Sequence, residues 1–166
     1  MSLASLFRSA GGIRPRITVI EKDLGLRRIM RQIKLMKRSH VKVGLPQGGS
    51  TEGRYTMAKL IQAADATEFG KGVPERSFMR SAIDQNMKFI NSIIEQDVNL
   101  IMAGRLGVSD ALDDIGGHVK LAIVRKIMTG PFKPLSKITV MKKGHSVPLF
   151  ETGQLINSIQ YKKVVK

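Results

Sequence analysis

Two stretches of strict helical periodicity constrain this chain more than any other feature. Ile83, Met87, Ile90, Ile94, Val98 and Ile101 step by 4, 3, 4, 4 and 3 residues, the spacing of one apolar helix face, and predict a long helix over roughly Ser77 to Ala103. Beyond 104–107, Leu112, Ile115, Val119, Ile123 and Ile127 repeat the pattern with Asp110 as its expected cap. A short glycine-containing link between two such helices folds them back as an antiparallel hairpin. Gly116 and Gly117 interrupt the second helix. A glycine there costs about 1 kcal/mol against alanine, so the pair marks a kink or a close approach to another backbone.

The flanking segments supply strands. Ile17 to Ile20 is a β-branched run behind Pro15, and Val41, Val43 and Leu45 alternate with Lys42 and Gly44 up to Pro46. Between them Asp23 offers a cap, and Leu26, Ile29, Ile33 and Met36 recur at helical spacing. Arg27, Arg31, Lys34 and Arg38 form a second, basic stripe on another face of the same helix. A further helix is expected from Tyr55 to about Thr67. Near the end, a helical turn at Thr152 to Asn157 precedes a strand from Ser158 to about Val165. The fold expected is therefore α+β, one domain over 1–166. It has a small mixed or antiparallel sheet, from strands near Ile17, Val41 and Ile159, packed with the long helical hairpin. From Thr129 to Pro148 periodicity dissolves into a basic loop holding three of the six prolines. We expect that loop, at 131–148, and an arm at 1–14 to contact other subunits more than their own protomer.

Charge is distributed unevenly. Residues 1–50 carry a net +9, residues 51–130 are neutral, and residues 131–166 carry +6, for a total of +15. Basic ends around a neutral middle fit a polyanion such as nucleic acid nearby, and fit equally a solvated basic face. The chain has no Cys, which removes disulfides, thiol nucleophiles and thiolate zinc sites and fits a reducing compartment. No apolar run approaches the roughly 20 residues that span a bilayer, so no membrane partner is expected, and the N-terminal apolar cluster is too short for a secretory signal.

Catalytic chemistry is hard to assemble from these residues. Gly48 to Tyr55 sits between a strand and a helix like a phosphate-binding loop, but Arg54 and Tyr55 replace the lysine and hydroxyl that such a loop needs. His40, His118 and His145 have no ligand-spaced partners. Gly144 to Pro148 lacks the closing glycine of a nucleophile elbow. Asp113 and Asp114 diverge by about 100° on a helix. The expectation is a protein that is not an enzyme and that needs no cofactor or metal.

Three ordered stretches carry a resemblance. Ala66 to Asp84 (ATEFGKGVPERSFMRSAID) joins a helix end to the long helix through EFG and PxRxFxR. A basic proline loop, GPFKPLSKITVMKKG, follows the hairpin. Pro148 to Tyr161 (PLFETGQLINSIQY) then runs PLxxTGxLxxSIxY. Together with Val41 to Pro46 (VKVGLP), these make residues 40–163 resemble the virion morphogenesis family of tailed bacteriophages, the Mu-like tail completion or head-to-tail joining proteins. One departure is Phe150-Glu151, where an aliphatic residue and Asp often precede TG.

The resemblance implies a structural virion subunit, assembled in the host cytoplasm, that forms a homo-oligomeric ring, six- or twelve-fold, at the neck or the head-proximal end of the tail. Its implied partners are neighbouring neck, connector or tail proteins and packaged DNA held through phosphates. On this reading Glu68, Phe69 and Gly70 end a helix, with the aromatic packing back on the core and the glycine taking positive φ. Pro74 stiffens the next start and Phe78 anchors it. Arg76 and Arg80, read as one turn apart, reach a carboxylate such as Glu68 or Glu75. Thr152 caps a turn, Gly153 permits tight approach, and Leu155 helps pin the last strand. The alternative reading from the residues is a sequence-independent nucleic-acid-binding protein that uses the basic stripe. Against it, the eight aromatics form no stacking module.

Overall fold

The computed structural model describes residues 25–48, 55–144, 149 and 153–166. Their elements are α1 (Leu26–Arg38), β1 (His40–Gly44), α2 (Met57–Phe69), α3 (Met79–Met102), α4 (Val108–Thr129), α5 (Lys137–Lys143), α6 (Gln154–Ser158) and β2 (Gln160–Val164). The α+β expectation holds: helices dominate, and β1 and β2 pair antiparallel with Val43 opposite Tyr161. The strand expected near Ile17 and the cap at Asp23 lie outside the described residues; α1 is entered through Gly25, in the left-handed region at φ 97. Among the described residues no helix is long and apolar enough to cross a membrane.

The hairpin of α3 and α4 is the frame. Its turn closes as a Schellman motif: Gly104, at φ 73, donates to the Ile101 carbonyl and Arg105 to that of Leu100. Gly107 is the cap of α4, not Asp110, which sits in the first turn and there favours the positive end of the helix dipole. The two-stranded sheet packs on α4. At Gly116 a Cβ would lie 2.6 Å from Tyr161 Cδ2 and 2.9 Å from Val41 Cγ2, while at Gly117 it would meet open space. The glycine pair therefore serves a close approach, made by sheet side chains and not by another backbone, and α4 runs unbroken through it.

The main core joins Ala64 of α2, Phe78, Ala82 and Ile90 at the start of α3, Val119, Ile123 and Ile127 of α4, and Ile159 before β2. A second cluster of Ile101, Val108 and Ala111 at the hairpin turn is covered by Leu35 and Met36 of α1. Arg28 Nη2 donates to the Gly104 carbonyl at 2.8 Å and ties α1 to that turn.

The stripe read along α3 divides. Ile90 and Ile101 are buried as expected, but their buried companions are Ile93 and Asp97, whereas Met87, Ile94 and Val98 are exposed. Among the described residues the most extensive helix contact of α3 is with α4, and α1 touches its far end. One partner buries a narrower strip than the full apolar face, so the outer edge stays in solvent.

The expected loop over 131–148 also contains structure. Ser136 Oγ accepts from Thr139 N to start α5, and Gly144 ends it at φ 76. The cap and the terminal glycine were present in SKITVMKKG, but the β-branched Ile-Thr-Val run inside it obscured the helix.

Candidate functional site

The segment EFGKGVPERSFMR folds into one polar clamp. Glu68 lies in the last turn of α2, buried, and its carboxylate faces the start of α3. The N-cap of α3, Phe78, offers no capping side chain; Ser77 Oγ accepts from Ser81 N at 3.3 Å, and the other first N–H groups need an outside acceptor. Glu68 supplies it: Oε2 accepts from Phe78 N at 2.7 Å and Met79 N at 3.0 Å, and Oε1 from Arg80 N at 3.0 Å and Ser77 Oγ at 2.8 Å. Burial alone would push this carboxyl up. The N–H groups of Arg80 and Met79, the Ser77 hydroxyl and the Phe78 N–H together outweigh burial and hold it below its ordinary value.

The neighbouring motif residues divide between expectation and correction. Gly70 takes the left-handed conformation at φ 70, and a Cβ there would crowd Glu75 Cβ at 3.2 Å. Phe78 is fully buried, as an anchor should be. Phe69 does not pack back on the core: it is 52% exposed, and its ring carries the Arg80 guanidinium 4.7 Å above it. The core positions of that last turn are taken by Ala64 and Glu68, which turns Phe69 outward. Arg80 also bonds the Glu68 carbonyl at 2.9 Å and Glu75 Oε1 at 2.8 Å.

Among the described residues Arg76 reaches no carboxylate, and it is not one helical turn from Arg80, because α3 begins only at Met79. Its buried guanidinium donates to the Lys133 carbonyl at 3.0 Å and the Pro134 carbonyl at 3.4 Å. Carbonyl acceptors leave no signature in sequence, whereas Ser77, the other participant missed by sequence reasoning, stood within the motif itself. With Phe132 packed on the main core, residues 132–134 are seated on their own chain.

The C-terminal motif borders the same region. Gly153 opens α6 at φ 71, and Thr152, Phe150 and Glu151 lie outside the described residues. Gln154 is buried and clasps the Tyr55 backbone, accepting from its N–H at 3.1 Å and donating to its carbonyl. Leu155, half-buried, packs on the core, and Ile159 is fully buried. Pro74, Arg76 and Leu155 meet around a groove of about 700 Å³, with Leu60 and Ala64 on its α2 wall and Leu135 opposite. The two motifs, distant in sequence, thus share one side of the molecule.

The basic stripe stands elsewhere. Arg27, Arg31, Lys34 and Arg38 are all exposed on α1, while Leu35 and Met36 of the same helix pack on the second cluster. That cluster caps the far end of α3, and 24 residues of helix place it about 36 Å from the clamp. The structure brings the motif residues together and leaves the stripe apart from them.

Other polar groups serve the packing. Lys163 of β2 pairs with Asp113 and donates to Ser109 Oγ at 2.7 Å, holding the sheet to α4. His118 Nδ1 lies 3.2 Å from Asp114 Oδ1. Asp97, buried on α3, has one carboxylate oxygen without a partner among the described residues, and burial, followed by the charge of Asp114, raises its pKa against the opposing influence of His118. Among the described residues no cluster of His, Cys, Asp and Glu could hold a metal ion. No family model, curated protein or solved structure matches the chain.

Proposed function

We propose that this chain is a structural subunit of a tailed-bacteriophage virion, forming a ring at the neck or the head-proximal end of the tail that joins capsid to tail. The observation that carries the reading is the clamp. The motif residues Glu68, Phe78 and Arg80 meet at one helix start, Gly70 ends the helix that carries Glu68, and Arg76 extends the same contact to the basic proline loop. Patterns that are weak singly become one interlocked unit, which is how a motif of structural origin should look. The buried groups of this unit are spent on each other, as suits a scaffold, while the exposed charge lies on α1.

The ring presents that basic face to packaged DNA in its channel or to an acidic neighbour, through phosphates in the first case and without base readout. The test is genetic and structural. In the phage that carries this gene, loss of the product should leave full heads and complete tails unjoined under the electron microscope; normal joined particles would reject the reading.

The exposed α1 stripe by itself favours the second reading, a free nucleic-acid-binding protein. A stable monomer with tight duplex affinity that falls steeply with salt would select it.

A further inference from the structure

The outer face of α3 carries Met87, Ile94, Val98 and Met102, each more than a third exposed. At about 100° per residue they fall within about 80° of one another around the axis, beside the buried line of Ile90, Ile93, Asp97 and Ile101. A second apolar patch stands on α5, where Ile138 is 68% and Met141 84% exposed. These two residues are three apart and share one side of their helix. Both patches are open to solvent, so they do not cover one another within one chain.

Their charges are opposite. The face of α3 is bordered by Asp84 and Glu95 with Lys88 between them, a net negative border on a chain of +15. Among the described residues neither Asp84 nor Glu95 forms an ion pair. Helix α5, KITVMKK, holds three lysines and no acidic residue. A further exposed apolar surface, around Phe89 and Leu121, lies beside Arg125 and Lys126, where a lysine-rich helix would be repelled.

We propose that α5 of one copy docks through Ile138 and Met141 onto the Met87, Ile94, Val98 and Met102 stripe of a second copy, with Lys137 facing the acidic border. Two different surfaces of one chain that complement each other make a heterologous contact, the kind that repeats around an axis and closes a ring. The proposal rests on the ring reading above and names its subunit contact. The apolar pair supplies affinity at the centre, and the charges fix which helix is accepted.

The Cys-free chain permits a direct test on the full-length protein. V98C and M141C, purified separately, should stay monomeric on a non-reducing gel after mild oxidation. Mixed before oxidation, they should give a dimer of twice the 18.3 kDa chain mass, and V98C/M141C on one chain should give a ladder. I94C with I138C is the second pair, should either first variant fold poorly by circular dichroism. M141E should raise the half-assembly concentration of the chain by at least about tenfold. Self-cross-linking of V98C alone, as strong as in the mixture, would replace the contact with a symmetric one and overturn the proposal. Absence of cross-links in both mixtures, with the unmodified chain still oligomeric by light scattering, would overturn the contact and leave the ring standing. Absence of cross-links with a monomeric chain at every concentration would overturn both.

Discussion

Replacing Glu68 with Gln removes a charge at constant shape and bears directly on the clamp. The carboxylate accepts from the backbone N–H groups of Phe78, Met79 and Arg80 and from the Ser77 hydroxyl. Gln keeps one acceptor oxygen and turns an amide NH₂ toward donors, so one of the two sets loses its partner. A hydrogen bond to a charged group contributes about 1.5–3 kcal/mol, and loss of an N-terminal cap costs about 0.5–2 kcal/mol. Because these contributions share one group they do not add fully, and we expect a loss of about 3 kcal/mol at pH 7 from a total of about 5–15 kcal/mol. Urea unfolding followed by far-UV circular dichroism reads this as a lower midpoint at constant slope; in thermal unfolding it corresponds to about 6–12 °C. The pH dependence is a second signature. Glu68 is held below its ordinary value of 4.5 in the fold, so its stabilisation is complete above that value and is lost as pH falls through the lower folded-state pKa. The gap between wild type and Glu68→Gln should therefore narrow as pH drops below about 4.5. A difference under about 1 kcal/mol at pH 7, or one independent of pH, would refute the cap.

Gly116 and Gly117 should respond oppositely to alanine. Gly116→Ala drives a Cβ to 2.6 Å from Tyr161 and should cost about 2 kcal/mol by overpacking, whereas Gly117→Ala meets open space and should stabilise by about 0.5–1 kcal/mol; thermal melts of both distinguish them. Asp97 has a raised pKa in the fold from burial, so the native state holds its proton more tightly than the unfolded chain does. Stability from this site falls as pH rises from the ordinary value of 3.8 through the folded-state pKa. Asp97→Asn should thus raise the neutral-pH urea midpoint and have little effect at acid pH, and a lower neutral midpoint would contradict the assignment. Reversing Arg31 and Lys34 to Glu changes only exposed positions and should leave the melting temperature within a few degrees while impairing DNA retention or particle joining; unchanged infectivity would make the stripe a solvated face.

The hairpin was legible because helical periodicity survives any choice of partner, and its glycine turn needs little else. How far each helix rotates was not legible: burial of Asp97 in place of Val98 depends on where α4 lies, and no local pattern encodes that. Gly116 announced itself as an anomaly, yet what approaches it, Tyr161 and Val41, comes from both ends of the chain. Within the clamp, Glu68 and Arg80 were legible as an ion pair. The capping role was not, because the acceptor and the donors are separated by 10–12 residues, outside the spacing of a capping box. Arg76 illustrates the same limit, since its partners are backbone carbonyls 57 and 58 residues away.

Whether this chain forms a ring can be read from electron-microscope class averages of the purified full-length protein, with its mass measured by light scattering over a range of concentrations. A ring-forming subunit should give closed rings of one symmetry with an open centre, and a mass that is a fixed multiple of 18.3 kDa. A particle that remains a monomer at every concentration, with or without duplex DNA, would contradict it.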